Sequence, residues 1–133
     1  MEKLARRIKE AENALDTLRE VLREPYSVIV RDATIQRFEY TFEIFWKLMK
    51  EYLYAHEGIE CNSPKSCFRE ALSVGILSEE RTITCLEMTD DRNLTSHTYV
   101  EEVADGIYAK IRDYFELMDA IFSLIKRNIE RDV

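Results

Sequence analysis

The amino-acid sequence predicts an all-α protein, built as an antiparallel bundle of four to five helices. Apolar residues recur at alternating spacings of three and four along several long segments, and this periodicity is typical of amphipathic helices. No segment alternates polar and apolar residues for long, as a half-buried strand would. With 133 residues, 46% hydrophobic and 34% charged, the chain is expected to form one globular domain over residues 1–133.

The first predicted helix carries a narrow apolar seam. Its residues are Leu4, Ile8, Ala11, Leu15, Leu18 and Leu22, and charged side chains occupy the other faces. Pro25 ends this helix, because a proline pushes the preceding residue out of helical geometry. The seam therefore predicts a helix that packs along one side of a bundle.

The second predicted helix runs from about Val28 to Ala55 and has a much wider apolar surface. Its stripe consists of Ile35, Phe38, Phe42, Phe45 and Met49, widened by Tyr40, Ile44, Trp46, Leu48 and Leu53. So wide a surface needs more than one neighbour. We expect this helix to lie in the interior of the bundle or to contact another subunit.

Two shorter helices follow in the sequence. One is expected over about 65–74, ending at Gly75, because glycine is favoured just past a helix C-terminus. The next begins after Ser78, a residue suited to an N-cap, and reaches about Asn93.

The last predicted helix begins near Thr98. The order Thr98-Tyr99-Val100-Glu101 fits a capping box, in which the threonine and glutamate side chains each satisfy a backbone N–H. Its seam contains Ala104, Ile107, Ile111, Met118, Ile125 and Ile129, widened by Tyr108, Tyr114, Phe115, Ile121 and Phe122. Such aromatic-rich faces in a short chain predict a homodimer that forms through helix faces.

The composition excludes several classes of protein. A net charge of −7 argues against a surface that coats nucleic acid non-specifically, although it allows a small local site. No apolar run approaches the roughly 20 residues of a membrane span, and the charged N-terminal segment is not a secretory signal. We therefore expect a cytoplasmic protein that makes no membrane contact.

The cysteines Cys61, Cys67 and Cys85 follow no zinc-binding spacing. Their odd number and the expected reducing compartment predict thiols without a disulfide framework. No metal site and no cofactor are expected.

The segment RNLTSHTY, residues 92–99, contains one of only two histidines. Arg92 and His97 are five positions apart, so in one continuous helix they would point about 140° apart. The intervening residues favour caps and turns over helix interiors; they include Asn93, Thr95 and Ser96, and Thr98 follows. A break here would let Arg92 project from the end of one helix and His97 from the start of the next.

An arginine and a histidine brought together suit phosphodiester cleavage. Imidazole exchanges protons near neutral pH, and a guanidinium grips phosphate oxygens with two hydrogen bonds. The alternative is an ordinary turn, in which Arg92 pairs with Asp90 or Asp91 and His97 only begins a helix. Those carboxylates would also repel an RNA backbone.

Three blocks of this sequence resemble the HEPN superfamily, and within it the branch of nucleotidyltransferase substrate-binding proteins. They are RDATIQRFEYTFEIFWKLMKEYL (31–53), SPKSCFREALSVGIL (63–77) and DRNLTSHTY (91–99). The third is similar to the branch's most specific motif, which is an arginine, four to six residues, a histidine, any residue and a tyrosine. The resemblance covers nearly the whole chain.

The resemblance implies a dimerising helical bundle encoded beside a minimal nucleotidyltransferase (MNT). In toxin members of the superfamily the motif is a metal-independent ribonuclease site. By position, Arg92 would hold phosphate, His97 would handle protons and Asn93 would be a supporting polar residue. Tyr99 matches a tyrosine to which the partner transfers AMP in related pairs. Without the resemblance, Tyr99 would be interpreted as an aromatic residue packed on a neighbouring helix.

Other residues in the matching blocks are expected to have structural roles. Trp46 is expected in the core or an interface, and His56 at the end of its helix in a capping or exposed role. Polar residues expected in buried or interfacial ion pairs are Arg31, Asp32, Gln36, Arg37 and Glu43.

Three functions remain open from the sequence. The first is an RNase toxin that acts on an RNA substrate and is neutralised by its nucleotidyltransferase partner. The second is a non-catalytic subunit that docks on the partner and presents nucleotide or substrate. The third is a structural helical dimer with a vestigial motif. The chain is not itself a nucleotidyltransferase, because it lacks a Gly-Ser strand-loop motif and an Asp-x-Asp metal pair on a strand.

Overall fold

A computed structural model describes residues 2–131 as five α-helices and one short 3₁₀ helix, without a strand in that range. The helices are α1 (Glu2–Val21), α2 (Val28–Glu57), α3 (Pro64–Ser73), α4 (Glu79–Leu94) and α5 (Glu101–Arg131), and the 3₁₀ turn spans Thr95–His97. The all-α bundle predicted from the sequence is confirmed. No helix in this range is both long and apolar enough to cross a membrane.

The three long helices form the main layer of the bundle. Helix α1 runs antiparallel to α2, since Lys3 pairs with Glu51 at one end while the Thr17 and Tyr40 hydroxyls share a hydrogen bond further along. It also runs antiparallel to α5, which it meets through ion pairs such as Lys126–Glu12. Helices α2 and α5 are therefore parallel to each other, and α3 and α4 pack at the side of this layer.

Aromatic side chains of α2 fill the centre of the bundle. Phe38, Phe42 and Phe45 are at most 1% exposed. Phe38 stacks on Tyr114 of α5, with ring centroids 5.8 Å apart, and Phe42 meets Phe68 of α3 edge-on at 6.2 Å. Burying each phenylalanine contributes about 1.5–3 kcal/mol, so α2 holds both sides of the bundle together. This confirms the interior position predicted for the second helix.

The helix ends follow the predicted chemistry in most places. The Ser78 hydroxyl accepts a hydrogen bond from the Arg81 amide at 3.1 Å and caps α4. Ser27 and Ser63 cap α2 and α3 in the same way. Gly75, with φ +82°, follows the end of α3 in the left-handed conformation that glycine adopts without strain.

The predicted capping box at the start of the last helix is wrong. Helix α5 begins at Glu101, three residues after Thr98, and the Val103 and Ala104 amides donate to the Val100 carbonyl. Thr98 has helical backbone angles, φ −72° and ψ −5°, whereas an N-cap needs an extended backbone. The chain stays helical beyond α4 because the 3₁₀ turn continues it.

The expectation that the cysteines remain thiols is wrong for two of the three. Cys61 and Cys67 form a disulfide across a Cα–Cα distance of 5.2 Å. The loop between α2 and α3 is short, and Ser63 and Pro64 turn it directly into α3, which places Cys61 against the first turn of that helix. Cys85 is a buried thiol, and burial raises its pKa to about 12. It is therefore an unreactive core side chain.

Candidate functional site

The Arg-His segment lies where α4 passes into the 3₁₀ turn. Arg92 is in the last turn of α4, and His97 is the final residue of the 3₁₀ turn rather than the start of α5. The predicted change of helical geometry between them is thus present, two residues after Arg92. The Arg92 and His97 side chains make no hydrogen bond to each other in the described part of the chain. Both residues therefore lie within one short segment, with Arg92 half-buried and His97 exposed.

Hydroxyl groups hold this turn in place. The Thr95 hydroxyl donates to the Arg92 carbonyl at 2.7 Å, and the Ser96 hydroxyl donates to the Asn93 carbonyl at 3.3 Å. These bonds satisfy carbonyls that lose their partners as the α-helix ends. Thr95 is buried, so it anchors the turn, while the Asn93 side chain lies at the surface. The turn-forming role predicted for these residues is confirmed.

Arg92 is fastened to α2 through Glu43. The Arg92 Nη2 lies 3.3 Å from Glu43 Oε1, and Trp46 Nε1 donates to Glu43 Oε2 at 3.1 Å. Trp46 packs against the core as predicted, so it fixes the carboxylate that holds the guanidinium. The Arg92 Nε is buried and has no hydrogen-bond partner within residues 2–131. A guanidinium has five N–H donors, so this pairing leaves others for an anion.

The two aspartates before Arg92 do not neutralise it. Asp90 pairs with Lys65 of α3 at 2.6 Å, and Asp91 pairs with Lys110 of α5 at 2.7 Å. The alternative in which Arg92 pairs with Asp90 or Asp91 is therefore wrong. Because lysines balance both carboxylates, their expected repulsion of an anionic ligand is largely cancelled.

Asp91 also accepts a hydrogen bond from the Tyr114 hydroxyl. Burial, together with this carboxylate, raises the pKa of Tyr114 well above its ordinary value. Tyr114 therefore stays a neutral donor at physiological pH and ties the end of α4 to the middle of α5.

His97 and Tyr99 lie side by side at the surface. The His97 Nδ1 is 3.2 Å from the Tyr99 hydroxyl oxygen, and the two rings meet edge-on at 5.8 Å. Tyr99 is 78% exposed, so the alternative in which it packs on a neighbouring helix is wrong. The Tyr99 side chain is therefore largely open to solvent, and its hydroxyl lies beside the imidazole.

A second polar cluster lies at the amino ends of α2 and α5. Arg31 is 2% exposed and contacts Asp32, Glu101 and Asp105, the shortest distance being 2.6 Å to Glu101. The prediction of a buried ion pair for Arg31 and Asp32 is confirmed. The sequence did not predict Glu101 and Asp105 as partners of Arg31, because α5 was expected to begin near Thr98. The cluster pins the start of α5, four residues after His97.

Of the other polar residues of α2, some contact neighbouring side chains or helices and one is exposed to solvent. Arg37 donates to the Thr17 carbonyl at 2.7 Å and lies 3.9 Å from Glu20, joining α2 to α1. Gln36 is exposed, so the prediction that it takes part in a buried or interfacial ion pair is wrong. His56, in the last turn of α2, stacks on Tyr52 with ring centroids 4.5 Å apart.

Comparison with known proteins gives the family. The family described as nucleotidyltransferase substrate binding protein like matches residues 6–127. The chain belongs to that family. It is thus a member of the HEPN superfamily, in the substrate-binding branch that its three sequence blocks resemble. The match covers all five helices apart from the ends of α1 and α5.

A curated relative and two solved structures are similar to this HEPN protein. A Haemophilus influenzae protein named probable ribonuclease HepT is 35% identical over 94 residues, which cover 68% of this chain and 62% of the relative. The chain thus matches less than two thirds of that relative's length. A Thermus thermophilus protein of known structure is 47% identical with a TM-score of 0.83, covering 86% of this chain and 98% of its own.

The second solved structure is a Shewanella oneidensis HEPN toxin in complex with MNT antitoxin, described as tri-AMPylated. It is 13% identical, has a TM-score of 0.76, and covers 93% of this chain and 96% of its own. At this identity the likeness establishes the fold alone.

Proposed function

We propose that this protein is the HEPN component of a two-protein module with a minimal nucleotidyltransferase, and that it acts as a metal-independent endoribonuclease. Arg92 and His97 are the proposed catalytic residues, Asn93 supports them, and Tyr99 accepts AMP from the partner. The observation that carries the proposal is the pairing at one turn of an anchored, partly exposed Arg92 with an exposed His97 that touches Tyr99.

The proposed reaction needs only a proton carrier and an anion binder. His97 would take the proton from a ribose 2′-hydroxyl as its oxygen attacks phosphorus, or return a proton to the 5′-oxygen as the P–O5′ bond breaks. The products are a 2′,3′-cyclic phosphate and a free 5′-hydroxyl. Arg92 would stabilise the charge that grows on the non-bridging oxygens, since Glu43 engages one side of its guanidinium only.

The proposed control step is transfer of AMP to Tyr99. The Tyr99 oxygen would attack the α-phosphorus of ATP bound by the partner, which releases pyrophosphate and forms a phosphodiester on the ring. A new anion beside His97 and Arg92 would repel an RNA backbone and fill the space above the turn. A HEPN toxin of the same fold is described as tri-AMPylated in complex with MNT antitoxin, which supports AMP transfer as the kind of control.

The module is also proposed to contain two copies of this chain. Several large aliphatic side chains are exposed on the bundle, among them Ile29 at 82%, Ile83 at 57% and Val28 at 51%. Unpaired apolar surface of this kind favours association. Light scattering on the purified protein should give the mass of a dimer, and a monomer at all concentrations would contradict it.

The experiment that tests the proposed activity compares purified wild-type protein with Arg92→Ala and His97→Ala on single-stranded RNA in excess chelator. Cleavage by wild type and its loss in both variants is the expected outcome. Arg69→Ala is the matched control, because Arg69 is an exposed arginine on α3 without an ion pair in the described chain. Intact RNA with wild type would refute the ribonuclease function.

The second candidate function is a non-catalytic subunit that presents nucleotide or substrate to the partner. The Arg92–Glu43 ion pair favours it, because a guanidinium held by a carboxylate is weakened as an anion binder. The family description supports it as well. Under this function the wild-type protein leaves RNA intact but raises the activity of the partner.

A further inference from the structure

One face of α2 carries a line of side chains that starts at the proposed site and leads away from it. Glu43, Lys47, Lys50 and Tyr54 are spaced by four, three and four residues, which places them on the same side of a helix. Glu43 contacts Arg92. With a rise of about 1.5 Å per residue, Lys50 lies roughly 10 Å and Tyr54 roughly 16 Å further along the helix. We call these residues the α2 stripe.

The far end of the α2 stripe opens into a cavity of about 380 Å³. The cavity lies between α1, α2 and the loop that carries Cys61, and its lining includes Lys3, Lys50, Glu51, Tyr54, Ile59 and Glu60. Its volume falls in the range of small-ligand pockets, which is roughly 300–1,000 Å³. Tyr54 is 58% exposed and lines the cavity, so its side chain is accessible to a ligand there.

The charges along the α2 stripe favour an anionic ligand. Lys47 and Lys50 are half-buried, and neither forms a salt bridge within residues 2–131. Lys3 is engaged by Glu51 at 3.2 Å, so those two charges cancel. Glu60 remains as an opposing carboxylate in the cavity lining. Glu43 is balanced by Arg92, so the two stripe lysines and Glu60 together leave one positive charge, on a chain whose net charge is −7.

We propose that the α2 stripe and its cavity bind the single-stranded RNA that flanks the cleaved bond. Lys47 and Lys50 would contact successive phosphates, and the Tyr54 ring would stack on a base inside the cavity. Cations that track the backbone, combined with an accessible aromatic ring, are the arrangement by which proteins hold single strands without reading sequence. A peptide made of aspartate and glutamate would use the lysines but has no aromatic ring to stack on Tyr54. The inference rests on the proposed ribonuclease function, since RNA is its substrate.

The binding test uses a fluorescently labelled single-stranded RNA with 2′-O-methyl groups, which cannot be cleaved through the 2′-oxygen. Tyr54→Ala should weaken binding by roughly 5- to 100-fold, as expected for the loss of one stacked base. Lys47→Gln/Lys50→Gln should weaken binding and lower the slope of log affinity against log salt by about 1.4. Circular dichroism must show that each variant is folded.

Two substitutions serve as matched controls. Tyr26→Ala removes a tyrosine that is 57% exposed at the opposite end of α2, and Lys9→Gln removes an exposed lysine of α1. Both should bind the RNA as wild type does. Equal losses in controls and stripe variants would overturn the inference, as would competition by an acidic peptide that equals competition by RNA.

A dinucleotide substrate separates this inference from the proposed activity, because it reaches the Arg92–His97 turn but not the cavity. The stripe variants should raise KM for a long RNA and leave dinucleotide cleavage unchanged. If both substrates are cleaved normally by these variants, the stripe is not a subsite although the ribonuclease function stands. If neither substrate is cleaved by wild type but the uncleavable RNA still binds through Tyr54, the ribonuclease function fails and the RNA surface stands.

Discussion

The Arg92 guanidinium of α4 is held 3.3 Å from the Glu43 carboxylate of α2, and Trp46 donates to the same carboxylate. The contact joins the proposed anion binder to the most deeply buried helix of the bundle. It sets where the guanidinium points and also partly neutralises its positive charge. Glu43 is therefore a positioning residue. Its removal should leave the Arg92 guanidinium less precisely oriented and make the site more positively charged.

Glu43→Gln tests this balance. We expect kcat for RNA cleavage to fall severalfold because Arg92 loses its orientation, while KM falls because the site becomes more positive. The pair is partly exposed, so the stability change should stay within about 1 kcal/mol. Glu39→Gln is the control, one turn earlier on the same helix. Unchanged kcat and KM would show that the contact does not position Arg92.

Tyr99→Phe should prevent regulation by AMP transfer without preventing RNA cleavage. The variant should gain no AMP from the partner and ATP, because it lacks the accepting oxygen, yet keep most of its RNase activity. Intact-protein mass spectrometry measures the first property and an RNA cleavage assay the second. Tyr26→Phe is the control, since that tyrosine is also exposed but its hydroxyl bonds to Asp105 and not to His97. Transfer of AMP to the Tyr99→Phe protein would show that another residue is the acceptor.

The Cys61–Cys67 disulfide should stabilise the fold by about 2 kcal/mol, the value expected for a closed loop this short. The double substitution Cys61→Ser/Cys67→Ser should lower the free energy of unfolding in urea by that amount. A reductant should have the same effect on wild type and none on the double variant. If reductant leaves the unfolding curve of wild type in place, the disulfide does not contribute to stability.

Tyr114 gives a prediction for alkaline pH. Its folded-state pKa is raised above the ordinary value of 10.0 by burial and by Asp91, so the folded protein holds the phenolic proton more tightly than the unfolded chain. The resulting stability is fully present below about pH 10 and is lost as the pH rises beyond it.

Tyr114→Phe should therefore lower stability by about 1–3 kcal/mol at pH 7, because Asp91 loses a donor, and should flatten the loss of stability above pH 10. Urea unfolding measured from pH 7 to 11 tests both effects. Tyr108→Phe is the control on the same helix. Parallel curves for wild type and the Tyr114 variant would contradict the assignment.

Local signals predicted much of this molecule. The apolar periodicity of α2 and α5 located the longest helices, and Ser78 marked the start of α4, because each depends on neighbours within a few residues. The start of α5 was misplaced because the Thr95 and Ser96 hydroxyls bond backward to α4 carbonyls, which extends the helical path past the apparent cap.

Contacts between residues that are far apart along the chain could not be predicted from the sequence. The motif identified Arg92, His97 and Tyr99, but not Glu43 as the partner of Arg92, since only the packing of α4 on α2 brings them together. The lysines that engage Asp90 and Asp91 come from two other helices. The disulfide depends on how tightly a loop turns into α3, which residue counting does not reveal.

The His97–Tyr99 contact also determines which ring nitrogen of the imidazole is free for the proposed proton exchange. With Nδ1 engaged by the Tyr99 oxygen, Nε2 is the ring nitrogen left for proton exchange. A phenol that accepts from Nδ1 leaves Nε2 free to take a proton as a base, and the imidazolium that results can return that proton from Nε2 as an acid. With the phenol accepting, both halves of the proposed cleavage reaction can run through Nε2. An O-substituted tyrosine can only accept, which would fix a neutral His97 in the basic form whenever this contact persists.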